Sequence, residues 1–112
     1  MKLARLPMQE IREGRKTIEL RLYDEKRKQI SVGDTIKFIN TEDSTDTLCV
    51  TVINLFVFTS FVELYKHLPL LKCGYNHDNI KNASPDDMNI YYSKEKQNQY
   101  GVVGIQISFF RI

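Results

Sequence analysis

The chain has 112 residues, 16 Lys and Arg against 14 Asp and Glu, a net charge of +2 and 42% hydrophobic residues. This length supports one core and excludes two, so residues 1–112 read as a single domain. The mild charge does not demand a polyanionic partner, and no apolar run approaches the roughly 18 residues of a membrane span. The two cysteines, Cys49 and Cys73, fit neither a disulfide framework nor a CxxC redox or zinc pattern. The start of the chain is charged at positions 2, 5, 10, 12 and 13 and does not read as a signal peptide, so the expected compartment is the cytoplasm. Charge is unevenly spread: residues 1–37 hold ten Lys and Arg against six acids, and residues 38–112 hold six against eight. An electropositive face should therefore come from the first third.

In chain order, residues 2–6 suit a short leading strand. Pro7, the shared face of Met8 and Ile11, and the stop at Gly14 predict a helix over 7–13. From Lys16 to Tyr23 the pattern alternates: Ile18, Leu20 and Leu22 on one side, Thr17, Glu19, Arg21 and Tyr23 on the other. A period of two predicts a strand with one apolar and one charged face. Asp24 suits the cap of a helical turn through Arg27, Ser31 to Asp34 reads as a turn, and Thr35 to Ile39 as a second strand.

After a polar loop over residues 40–46, Thr47 to Phe58 predicts a central strand, apolar on both faces and bent or bulged near Asn54. Cys49 is expected in the core there. Ser60 and Glu63 form a capping-box pattern for a helix from Phe61 to before Pro69. Residues 70–83 give no periodic signal. Ser84-Pro85-Asp86-Asp87 is a strong helix start, Ser93 caps a further helix that stops at Gly101, and residues 101–112 close the chain as a strand. Roughly five strands with helices in their connections favour a small barrel over a parallel α/β sheet.

The charged face of the 16–23 strand is the main functional candidate. Glu19 and Arg21, two apart, point the same way and either form a salt-bridged surface or share a ligand. Arg21 offers a planar donor fork suited to phosphate or a base edge, Glu19 an acceptor for an exocyclic amine, and Lys16 an ammonium. Lys26 and Arg27 are exposed-turn charges able to contact phosphates. His67 and His77 are isolated, and Cys73 with His77 lacks the further ligands of a zinc site, so no metal or cofactor is expected. There is no phosphate-cradling glycine loop and no Ser-His-Asp signature.

The order GRKTIELR over residues 14–21, then Gly33-Asp34, and far downstream Tyr92-Ser93-Lys94-Glu95 and Tyr100-Gly101-Val102, resembles the ASCH domains. The resemblance spans essentially the whole chain. It implies a PUA-like β-barrel, α+β but mainly β, of about five or six strands, with a cleft lined by the strand after the first helix. It also implies RNA, a nucleoside or a nucleotide as partner, and places Tyr92 and Ser93 near the cleft. Tyrosine supplies a stacking face and a hydroxyl for an unpaired base. Some family members resemble amidohydrolases acting on acetylcytidine and others are linked to RNA cleavage, with Lys16 and Glu19 the residues that would then be catalytic. In the amidohydrolase branch the lysine is followed three residues on by a threonine; here that position is Glu19. A carboxylate does not simply replace a hydroxyl activated by a lysine, which favours recognition over hydrolysis.

Overall fold

The computed structural model describes residues 1–109. Five strands, β1 (Lys2–Leu3), β2 (Ile18–Leu22), β3 (Thr35–Asn40), β4 (Thr47–Phe58) and β5 (Val102–Ser108), form one sheet in the order β1-β3-β4-β5-β2. Only β1 and β3 pair in parallel; the other neighbours are antiparallel. The sheet curls into a half-barrel, mainly β with short helices, as the strand-rich pattern predicts. Residues 110–112 of the closing run lie outside the described residues.

The first helix, α1, runs Arg5–Arg12 and buries Met8 and Ile11. It takes over residues that the sequence offered to the leading strand, which is only two residues long. Strand β4 is central and long, and its register shifts between Val52 and Asn54, where the bulge was expected. Its first half alternates strictly. Leu48, Val50 and Val52 are buried, while Thr47, Cys49, Thr51 and Ile53 face outward. Cys49 is therefore exposed and Cys73 is the buried thiol, the reverse of the expectation for Cys49.

Two apolar clusters lie on opposite sides of the sheet. Leu3, Met8, Ile11, Phe38, Val50, Val52, Val103 and Ile105 fill the concave side. Ile18, Leu20, Leu22 and Val102 pack outward against Phe61 and Leu64 of α2 (Phe61–His67). Ser60 Oγ accepts from the Glu63 N–H and so starts α2, while the Glu63 carboxylate turns to Lys66 and His67. Residues 70–72, 80–82 and 85–90 form short 3₁₀ turns, and α3 (Lys94–Tyr100) leads into β5.

The last turn before β5 is demanding. Gly101 sits at φ 72°, ψ −169°, a region essentially reserved for glycine, and a Cβ there would meet the Phe58 carbonyl oxygen at 3.0 Å. The Gly101 carbonyl accepts from Tyr23 N–H, tying the end of β2 to the start of β5. Among the described residues no helix is long and apolar enough to cross a membrane.

Candidate functional site

Strand β2 is one edge of the sheet, and its charged face is set by pairing with β5. Glu19 lies opposite Ile105 and Arg21 opposite Val103, so both side chains continue the concave apolar row. Lys16 is delivered by the end of α1: Gly14 turns the chain at φ 78°, and the Glu10 carbonyl accepts from both Arg15 and Lys16 N–H. The Thr17 N–H then bonds to the Lys72 carbonyl, docking the start of β2 on the 70–72 turn.

The result is a buried three-charge cluster. Lys16 Nζ lies 2.8 Å from Glu19 Oε1, and Arg21 donates to Glu19 Oε2 from Nε at 3.0 Å and Nη2 at 2.8 Å. The Glu19 side chain keeps 5% of its surface exposed and Arg21 13%. Burial alone would push the Glu19 carboxyl upward; the charges and hydrogen bonds of Lys16 and Arg21 outweigh it and hold the group below its ordinary range. One carboxylate between two cations leaves the cluster with a net charge of +1.

Arg21 also closes the barrel. Its Nη2 donates at 2.6 Å to the carbonyl of Lys2, so one side chain bridges β2 and β1, the two edges of the sheet, which do not pair directly. A cleft of about 700 Å³ opens along this seam, lined on one side by Lys2, Leu3 and Ala4 and on the other by Lys16, Glu19 and Arg21. Among the described residues Arg21 Nη1 has no hydrogen-bond partner, and the Lys16 ammonium uses one of its three donors on Glu19. Such spare donors suit an anion or a carbonyl.

The far wall is aromatic. Tyr65, Tyr75, Tyr91 and Tyr92 all line the cleft. Tyr92 stacks on Phe61 at 6.2 Å between ring centroids, which fixes its plane. Burial holds the Tyr92 phenol above its ordinary pKa. Gly74 passes close to the cluster, where a Cβ would lie 3.7 Å from Lys16 Nζ. Cys73, just before it, lines the cleft too, and burial pushes its thiol up to about 11. At the mouth, Leu6, Ile90 and Tyr91 are exposed.

Of the residues singled out in the sequence, Lys16, Glu19, Arg21 and Tyr92 meet in this cleft. Lys26 and Arg27 do not line it. Asp24 caps their turn through Oδ1, and its Oδ2 holds Arg27 Nη1 at 3.1 Å. They still share an electrostatic neighbourhood with it. Burial first, and then the charges of Arg21, Lys26, Arg27 and Lys2, lower the pKa of the Met1 amino group, so all four cations lie within electrostatic reach of that one point. Ser93 lies outside the cleft and caps α3, its Oγ accepting from Lys96 N–H. Sequence reasoning missed Tyr65, Tyr75 and Asp87, which are joined by 2.7 Å hydrogen bonds. The available signal was the Ser84 to Asp87 capping pattern, which places Asp87 but gives no hint of its tyrosine partner. Among the described residues no group of three or more His, Cys, Asp and Glu could hold a metal ion.

A five-stranded half-barrel with a charged seam cleft defines an ASCH-like fold. The sequence profile of the ASCH domain matches residues 1–111, and the chain belongs to the ASCH domain family, which is generally thought to bind RNA. It is similar to the crystal structure of the hypothetical protein PH0355, with 31% identity, a TM-score of 0.78, and 98% of this chain and 96% of that one covered. It is similar as well to the solution structure of protein PF0455 from Pyrococcus furiosus, with 32% identity, a TM-score of 0.75, and 100% and 96% coverage. No curated protein matches the chain significantly.

Proposed function

We propose that this protein binds RNA, or a nucleotide-like ligand, in the seam cleft, with Lys16 and Arg21 as the ligand-contacting cations and Tyr92 as a stacking wall. The observation that carries this reading is the buried Lys16–Glu19–Arg21 cluster, whose net positive charge and spare donors open into a cleft with an aromatic wall. Low-dielectric surroundings strengthen such donors toward a phosphate or base oxygen. Lys2 adds a cation on the opposite side of the cleft, and Lys26 and Arg27 extend the positive field outside it, where a strand's next phosphates would run.

In this arrangement Glu19 chiefly positions the cations, since both its oxygens already accept from them and only Oε1 keeps a further acceptor site. That engagement favours recognition over the amide hydrolysis known elsewhere in the family: the residue three after Lys16 is committed to structure. A titration of ¹⁵N-labelled protein with a short single-stranded oligoribonucleotide at low salt tests the reading. Shifts should concentrate on residues 16–21, 74–75 and 91–92. No shifts at any RNA concentration would remove it, and turnover of acetylcytidine lost in Lys16→Ala would replace it with an enzyme.

A further inference from the structure

Tyr65 in α2, Tyr75 after the 70–72 turn, and Asp87 in the 85–90 turn meet across the cleft wall although they lie far apart in sequence. Tyr75 Oη donates to Asp87 Oδ2 at 2.7 Å, and the two phenol oxygens are 2.7 Å apart. A carboxylate has no proton to give, so the Tyr75 proton is committed to Asp87. The proton between the phenols must then come from Tyr65. Both protons run toward Asp87, and the Tyr65 oxygen is left with acceptor capacity alone.

This polarity is fixed at the other end as well. Asp87 Oδ2 also accepts from Ser84 N–H at 3.2 Å, the reciprocal half of a capping box, which holds the carboxylate in place. Burial, the largest cause for each phenol, raises the pKa of Tyr65 and carries that of Tyr75 far above the phenol range, so both keep their protons near neutrality. The cleft therefore has a donor end at Lys16 and Arg21 and an acceptor end at Tyr65. Among the described residues no hydrogen bond or ion pair joins the two ends.

Building on the proposed function, we propose that the Tyr65–Tyr75–Asp87 chain is a second recognition pole that selects nucleobases with an amino group at the pyrimidine 4- or purine 6-position, cytosine and adenine, over uracil. An exocyclic amine gives Tyr65 the donor it lacks, whereas the 4-carbonyl of uracil turned to the same place sets lone pairs against lone pairs. A site built to bond one group rejects the analogue that lacks it.

The test is fluorescence anisotropy at one low salt concentration with short single-stranded C, A and U oligoribonucleotides. Wild type, Tyr65→Phe and Tyr75→Phe are compared after thermal melts establish that each is folded. Cytosine and uracil, nearly equal in size, are the decisive pair. Wild type should bind C about three- to tenfold more tightly than U, the scale of one net hydrogen bond. Tyr65→Phe keeps the ring and should weaken C and A to the level of U. Tyr75→Phe frees the Tyr65 proton to turn outward, so U binding should rise. A structural disturbance would instead lower all three. Equal binding of C and U by the wild type, or a preference that survives Tyr65→Phe, overturns the second pole while leaving the proposed function intact. Absence of binding to all three removes the proposed function, and the pole with it.

Discussion

The Lys16 ammonium sits 2.8 Å from Glu19 Oε1, and the two side chains keep only 9% and 5% of their surface exposed. Two charges so withdrawn from water persist because each carboxylate oxygen is met by a cation. Removing one partner from such a cluster strands the others. Glu19→Gln preserves shape but leaves Lys16 and Arg21 facing each other without a counter-charge. It should cost about 3 kcal/mol by denaturant unfolding. Combined with Lys16→Met, the loss should be smaller than the sum of the single losses, because the two residues are directly coupled.

The same cluster shapes the acid limb of stability. Glu19 titrates below its ordinary value of 4.5 in the folded protein. As pH falls through that value the unfolded chain takes up a proton that the folded one refuses. The stabilisation is thus fully present above this range and is lost toward the lower folded value. Unfolding midpoints between neutral and acid pH should fall in wild type and flatten in Glu19→Gln. Part of the slope should remain, since Asp46 is also held below its ordinary range by hydrogen bonds from Arg12 and Asn40. An unchanged slope in Glu19→Gln would show that the cluster does not control the limb.

The two thiols should separate cleanly. Cys49 is exposed on the outer face of β4, whereas Cys73 is buried and its pKa is raised to about 11. The thiolate is the reactive form. Alkylation at mildly alkaline pH should label Cys49 in the native protein and add Cys73 only on unfolding, as peptide mass mapping would report. Rapid native labelling of Cys73 would contradict its burial in the cluster with Phe61 and Leu64.

Gly101 lies in a glycine-only region of backbone space with the Phe58 carbonyl against its missing Cβ. Gly101→Ala should destabilise by about 1–3 kcal/mol. Its effect should appear in thermal melts as a lowered midpoint, and a neutral change would contradict the tight turn into β5.

How much of this was legible follows from what each feature depends on. The Lys16 to Tyr23 alternation is local, so the strand and the common face of Glu19 and Arg21 could be read directly. The seam could not, because it depends on Arg21 reaching Lys2, nineteen residues away in sequence. Cys49 was misjudged because Thr47 to Phe58 looks apolar throughout; the alternating threonines at 47 and 51 were the outward signal. Residues 70–83 carry no periodicity because short 3₁₀ turns and Asn76 and Asn79 side-chain bonds hold them, not a repeating apolar face. Tyr75 belongs to that segment, so its partnership with Tyr65 and Asp87 exists only in three dimensions.

If the cations on the seam hold the ligand, the loss of Arg21 should be felt in binding. Binding of a short single-stranded RNA should be titrated at several salt concentrations for wild type, Arg21→Lys and Arg21→Ala, each checked for folding by its melt. Arg21→Ala should weaken binding about tenfold or more and lower the salt slope by about one. Arg21→Lys should keep the slope but lose affinity, because an ammonium lacks the planar fork. Undiminished affinity and slope in folded Arg21→Ala would contradict the account.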